Sequence, residues 1–271
     1  MERTALITGC SSGIGWATAE AFLSEGWTVV ATARNRSDLE GLAERGAITH
    51  TLDVTKPAQC QSVIDAVIEE TGRLDCLVNN AGFAQFGPIE DVPTRLVEDQ
   101  YDVNVFGPLR LIRAALPALR ETEGTVVNVS SLSGLLSSPG MGVYSSSKAA
   151  IESLSDALRV EVAPYDVAVT VVEPGPVDTQ FDERAQSSLT DFDRSERYAD
   201  LYESISDWDT VGEMAAVPPE QVAAVILEAG VSTDPKPRYT VGTGSQFYSL
   251  VSLVPDSLRD GIFSLLRRVA G

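Results

Sequence analysis

Tyr144 and Lys148 stand four residues apart in the stretch VYSSSK (143–148), and the residues that follow, AAIESLSDALRVEVA, read as a helix. On a helix, side chains four apart lie on one face. A free tyrosine has a pKa of about 10 and is a poor acid or base at neutral pH. A neighbouring ammonium stabilises its phenolate and lowers that pKa. Such a pair can exchange a proton with the oxygen of a carbonyl or an alcohol. Three successive serines also suit a flexible joint. The spacing therefore leaves a structural alternative, with Tyr144 a half-buried helix residue and Lys148 a solvated charge. Lys148 is one of only three lysines, with Lys56 and Lys236, among 20 basic residues. That scarcity fits a role requiring a compact ammonium.

A second chemical feature is the loop TGCSSGIG (8–15), with Gly9, Gly13 and Gly15 between an apolar run and a helical pattern. Glycine at such a turn lets backbone amides approach a pyrophosphate at a helix N-terminus. Any tight turn can use glycines, but the position at the first strand–helix junction favours the dinucleotide reading. Beyond the second strand an Asp or Glu would bond the ribose 2′-hydroxyl of NAD. Here Ala33 is followed by Arg34, Asn35 and Arg36. A guanidinium suits a 2′-phosphate, so NADP(H) is expected in preference to NAD(H).

These residues need a scaffold. Apolar, β-branched runs predict strands at 4–8, 28–33, 48–54, 74–82, 125–131, 167–175 and 238–242. Helical patterns lie between them: SGIGWATAEAFLSEG (12–26), a segment from Ser37 as cap to Gly46, 58–72, a long region 94–121 broken near Gly107-Pro108, 144–163, and PPEQVAAVILEAG. Strands that are apolar throughout and alternate with helices predict a parallel sheet covered on both faces. The expected fold is a Rossmann-like, doubly wound three-layer α/β domain with a mostly seven-stranded parallel sheet, one domain over 1–271. Segment 177–215 is polar, acidic and irregular, with a short helix in DFDRSERYADLYES, and is read as a substrate lid.

Composition narrows the function. Hydrophobic residues make up 44% of the chain, enough for a large core. The 39 acidic and 20 basic residues give a net charge of -19, which opposes nucleic-acid binding. The acid excess with lysine depletion reads as adaptation to high salt, where a Debye length of about 3 Å at 1 M screens the self-repulsion. Cys10, Cys60 and Cys76 at irregular spacing and the single His50 offer no disulfide framework and no metal site. No run is long enough to span a bilayer, and the start carries no secretory pattern, so the expected location is the cytoplasm.

Seven motifs fall in one order: TGCSSGIG, LDVT (52–55), NNAG (79–82), NVFG (104–107), NVSS (128–131), YSSSK (144–148) and PGPVDT (174–179). Together they closely resemble the short-chain dehydrogenase/reductase family in its single-domain form, over roughly residues 3–180. The resemblance implies a catalytic tetrad of Asn104, Ser131, Tyr144 and Lys148. The family's spacing to the tyrosine selects Ser131 over the adjacent Ser130. It implies that Ser131 hydrogen-bonds the substrate oxygen, that Lys148 also grips the nicotinamide ribose, and that Asn104 holds a proton-carrying water. For the cofactor it implies Gly9, Ser11, Ser12, Gly13, Ile14 and Gly15 at the pyrophosphate. Asp53 becomes an adenine contact with Val54 beside it, and Asn80, Ala81 and Gly82 line the path. Pro174, Gly175, Val177 and Thr179 hold the nicotinamide carboxamide.

The expected substrate is a small carbonyl or alcohol, and a lipophilic one, because Phe83, Gln85, Phe86, Leu132–Leu136, Met141 and Phe181 are placed to face it. Alternatives are a non-catalytic NADP-binding sensor or scaffold, and a nucleotide-sugar epimerase or dehydratase. A homodimer or homotetramer built on helices 94–121 and 144–163 is expected from the family. The tail, with Leu258, Ile262, Leu265, Leu266 and Val269 at helical spacings, predicts an amphipathic helix at about 256–269. It packs on the core or a second subunit, or lies on a membrane surface through Arg267 and Arg268.

Overall fold

In a computed structural model of the chain, which describes residues 2–205, 216–242, 257, 258 and 261, the apolar runs become strands of one sheet. These are β1 (Thr4–Thr8), β2 (Thr28–Ala33), β3 (Ile48–Thr51), β4 (Cys76–Asn79), β5 (Thr125–Val129), β6 (Ala168–Pro174) and β7 (Arg238–Val241). Their order is β3-β2-β1-β4-β5-β6-β7 and every pairing is parallel. The direction of winding reverses between β1 and β4, which opens a crevice at the carboxyl ends of the strands.

The flanking helices are α1 (Gly13–Ser24), α2 (Glu40–Glu44), α3 (Pro57–Thr71), α4 (Thr94–Tyr101), α5 (Gly107–Thr122), α6 (Gly142–Val162), α7 (Gln180–Ser187) and α8 (Pro219–Val231). Proline opens α3 where no N–H is needed, and Gly72 ends it in the left-handed region at φ 75. Alternate strand residues face opposite layers. Leu6, Val30, Leu77, Val126 and Val169 pack with Val63 and Leu111 on one side. Ile7, Val29, Val78 and Val127 pack with Phe22 and Ile226 on the other. Each such side chain, fully buried, stabilises by about 1.5–3 kcal/mol relative to exposure, which fixes the sheet between its two helical layers.

Four local readings are refined. The segment after β2 is a 3-10 turn, Arg36–Leu39, leading into a short α2, and its cap position is Asn35 instead of Ser37. The break in 94–121 falls as expected but is a π-helical turn, Asp102–Phe106, between α4 and α5. There Gly107 N–H reaches back five residues to the Asp102 carbonyl, and Pro108 has no N–H to offer the Asn104 carbonyl. The segment from 177 is more ordered than its polarity implies. Thr179 caps α7 by accepting the Phe181 N–H at 3.2 Å, and residues 199–205 are helical. β4 is shorter than its apolar run because the N–H groups of Asn80 and Ala81 leave the ladder for the Thr8 hydroxyl, each at 3.0 Å. Residues 206–215 of the expected lid, and the expected tail helix apart from 257, 258 and 261, lie outside the described residues. Among the described residues no helix is long and apolar enough to cross a membrane.

Candidate active site

The loop after β1 is shaped by what a side chain would strike. Gly9 and Gly13 have φ of 73 and 57. A Cβ on Gly15 would overlap the Gly9 carbonyl and the Asn80 side chain, and one on Gly13 would lie 2.9 Å from Thr179 Cγ2. Asn80 Nδ2 donates to the carbonyls of Thr8 and Gly9 at 2.8 and 3.2 Å. Three segments far apart in sequence thus meet: the glycine loop, Asn80-Ala81 and Thr179. Ser11, Ser12 and Ile14 are partly exposed where α1 begins. The first N–H groups of that helix have no intrahelical acceptor, and they form a cradle for an anion.

Along the crevice, Gly175 N–H donates to the Val241 carbonyl at 2.8 Å, and Val177 pairs with Val217. These bonds fix the chain from Pro174 to Thr179. Arg34 is exposed just past β2. Burial acts to raise the Asp53 pKa, but hydrogen bonds from the Thr55 hydroxyl and N–H, with Lys56 and Arg34 nearby, hold it below the usual range. Val54 is buried against Gly107, where a Cβ would come within 2.8 Å of Val54 Cγ2, and its carbonyl accepts from Arg110 at 3.1 Å.

Tyr144 and Lys148 are both buried, one turn apart on α6. Lys148 Nζ lies 5.8 Å from the Tyr144 ring centroid and donates to the Val129 carbonyl at 2.9 Å. Burial pushes the Lys148 pKa down to about 8, and the Glu152 carboxylate opposes that shift. The Tyr144 ring is flanked by Phe86 and Phe181, at 6.5 and 5.8 Å between centroids. A Cβ on Gly82 would stand 3.1 Å from Asn104 Oδ1 and 3.7 Å from Lys148 Nζ, so the bare glycine lets the NNAG loop lie directly against both side chains.

Asn104 sits in the π turn with its amide committed. Nδ2 donates to the Phe83 carbonyl at 2.9 Å and to Ser147 Oγ at 3.0 Å, and Oδ1 accepts the Phe83 N–H at 3.1 Å. Ser131, just past β5, is partly exposed, accepts the Ser133 N–H at 3.1 Å and donates weakly to the Pro174 carbonyl at 3.4 Å. Ser130 is buried instead. The serine run is helix interior. Ser145 and Ser147 are buried, and Ser146 is exposed.

Gln85 does not face the crevice as expected. It is buried, its Nε2 donates to the carbonyls of Phe86 and Ser188, and its N–H donates to Gln100 Oε1. A polar residue in that apolar setting lowers its energy by satisfying backbone groups. Gln100 was not visible as a site residue; its Nε2 reaches Ser147 Oγ at 3.3 Å, tying α4 to α6. Asp91 was also missed. Its Oδ2 accepts from Ser195 N–H at 2.9 Å and Tyr202 Oη at 2.6 Å. Those bonds hold the 188–205 segment where Ala185, Leu189 and Leu201 join Phe86 and Tyr144 in one apolar cluster.

This fold and this crevice agree with what the chain is similar to. The short chain dehydrogenase family profile matches residues 3–189, and the protein belongs to that family. The NADPH-dependent 3-dehydrocapnine reductase of Ornithobacterium rhinotracheale is 37% identical over 96% of this chain and 96% of its own. The 3-ketodihydrosphingosine reductase of Bacteroides thetaiotaomicron is 34% identical over 93% of each. The crystal structure of a short-chain dehydrogenase from Streptomyces avermitilis superposes with a TM-score of 0.83 at 34% identity, covering 99% of this chain and 97% of that one. The chain is thus an oxidoreductase of small molecules, with a fold that binds a nicotinamide cofactor and an NADPH-dependent reductase among its relatives.

Proposed function

We propose that the protein is an NADP(H)-dependent oxidoreductase that interconverts a lipophilic ketone or aldehyde with its alcohol. The observation that carries this reading is the pairing of Tyr144 with Lys148 on one face of α6, opposite the bare Gly82 at the mouth of the crevice. Tyr144 Oη gives its proton to the carbonyl oxygen in reduction and takes it back in oxidation. The Lys148 ammonium stabilises the phenolate left behind. Ser131 Oγ donates a hydrogen bond to the same substrate oxygen in place of its weak bond to Pro174. Asn104 locks the Phe83 backbone and α6 together. Its carbonyl, which Pro108 cannot reach, accepts from a water that carries the proton to solvent.

The glycine cradle fits a dinucleotide, because the missing Cβ atoms at Gly15 and Gly13 let the loop close on Gly9, Asn80 and Thr179 and leave the first N–H groups of α1 free for a pyrophosphate. A nicotinamide bound there supplies or accepts the hydride. Gly9, Ser11, Ser12, Gly13, Ile14 and Gly15 hold the pyrophosphate. Asp53, Val54, Asn80, Ala81 and Gly82 line its path, and Pro174, Gly175, Val177 and Thr179 hold the carboxamide end. Arg34 meets the 2′-phosphate. Removing it with Arg34→Ala is expected to lower kcat/KM for NADPH about 10- to 100-fold, the worth of a charged hydrogen bond, with little change for NADH. Steady-state rates with both cofactors check this; an unchanged ratio would overturn the Arg34 assignment.

Phe86, Phe181 and Met141 around Tyr144 favour an apolar substrate, and the two named relatives point to a ketone. The described part of the expected lid, residues 177–205, covers these side chains, within one domain over 1–271. The exposed Phe106 and Ile89 border a groove between α4 and α6 that suits a second copy of the chain, giving a dimer or tetramer. The acidic surface suits a cytoplasm of high salt. The melting temperature is therefore expected to rise between dilute buffer and molar KCl, and scanning calorimetry at both checks it. The activity is tested by NADPH oxidation over a panel of aliphatic, aromatic and polycyclic carbonyls in high salt.

A further inference from the structure

The α6 face that carries Tyr144 and Lys148 continues to Glu152 and Asp156, each one turn further on. Glu152 is 6% exposed, and Glu173 on β6 is 1% exposed. Both carboxyls converge on one donor. Arg238 Nε, at the start of β7, is 3.2 Å from Glu152 Oε2 and 3.2 Å from Glu173 Oε1. Arg238 Nη2 is spent on Asp156 Oδ2 at 2.6 Å, and Asp156 Oδ1 takes Arg159 Nη1 at 2.8 Å. The guanidinium charge is therefore divided among three carboxyls. Among the described residues, Glu152 Oε1, Glu173 Oε1 and the hydroxyl of Ser130 beside them are buried without a well-formed hydrogen bond. Glu173 Oε1 has only the ion-pair contact with Arg238, whose Nε–H is already donated to Glu152 Oε2, so a proton shared between the two carboxyls would satisfy both oxygens.

We infer that Glu152 and Glu173 hold one proton between them, and that this buried acid pair is a positioning device that keeps Lys148 charged. The proton sits on Glu173 and is donated to Glu152 Oε1, which satisfies both orphaned oxygens. Glu152 then stays anionic one turn from Lys148. Burial, with the Glu152 charge next, pushes the Glu173 carboxyl up to about 7, and burial likewise raises Glu152 against the pull of Ser130 and Arg238. The charged groups facing the pair are Lys148 and Asp156 from α6 and Arg238 from β7, with Arg159 behind Asp156. Glu152 is the charge that opposes the loss of the Lys148 proton.

The sign of the linkage is fixed. A carboxyl raised from its ordinary 4.5 to about 7 binds more proton folded than unfolded, so stability falls as pH rises through that window. The fall should be visible in the melting temperature of the full chain between pH 5 and 8, and it should flatten in Glu173→Gln, which mimics the protonated acid. An equal slope in the two proteins would overturn the shared proton. Arg238→Gln removes the shared cation and should move the fall to higher pH; a fall left in place would overturn it as well. The link to Lys148 rests on the function proposed above and is read separately. In Glu152→Gln the alkaline limb of the turnover–pH profile should move down by about one unit or more; an unmoved limb would end that link. Loss of the whole activity assignment would leave the melting result standing, so the two failures can be told apart.

Discussion

Replacing Tyr144 by Phe lowers carbonyl turnover by about 10²- to 10⁴-fold, the usual worth of a positioned general acid, while leaving the fold and cofactor affinity in place. The substitution deletes one oxygen. The ring keeps its packing between Phe86 and Phe181, and α6 keeps its buried face. The loss should therefore appear in kcat, with KM nearly unchanged. Rates at saturating NADPH and a fluorescence titration of cofactor binding separate the two. A variant that binds cofactor but does not turn over is the expected outcome; one that turns over normally removes Tyr144 from the proton step.

Replacing Lys148 by Met is expected to cost at least as much, because under the proposed mechanism Tyr144 then loses the ammonium that stabilises its phenolate. The wild-type pH profile carries the same information. Burial places Lys148 at about 8, so turnover that depends on the ammonium declines above that pH. The linkage to stability has the opposite sense from that of a paired lysine. The folded chain gives up this proton before the unfolded chain does, between about 8 and the ordinary lysine value of 10.5. The site's contribution to stability thus rises over that window, and below it the folded protein bears the cost of a buried ammonium. Met removes that cost together with the Lys148–Val129 hydrogen bond. A melting curve against pH should accordingly lose its alkaline rise in the variant.

Much of the scaffold was legible because its signals are local. Apolar runs such as TALIT and TVVATA, alternating with helices, dictate a parallel sheet covered on both faces. Tyr144 and Lys148 were legible because four residues is one helical turn. What lay hidden depends on distant partners. Nothing in the spelling of Gln85 distinguishes a residue facing a ligand from one bonded to Ser188, more than a hundred positions away. Asp91 reads as one acid among many until Ser195 and Tyr202 are folded onto it. The π turn at Asn104 was visible only as a glycine–proline break, since its form depends on which carbonyl Gly107 can reach. Glu152 lies one turn beyond Lys148 on α6, but its meaning comes from Glu173 on β6 and Arg238 on β7.

The most direct measurement is of product: purified protein in high salt, NADPH, and a graded series of lipophilic ketones, with the alcohol quantified against NADPH consumed. The account predicts one alcohol per NADPH, faster with NADPH than with NADH, and improving with the apolar size of the ketone. Tight NADPH binding with no alcohol from any carbonyl, and no ketone from the corresponding alcohols with NADP, would contradict it.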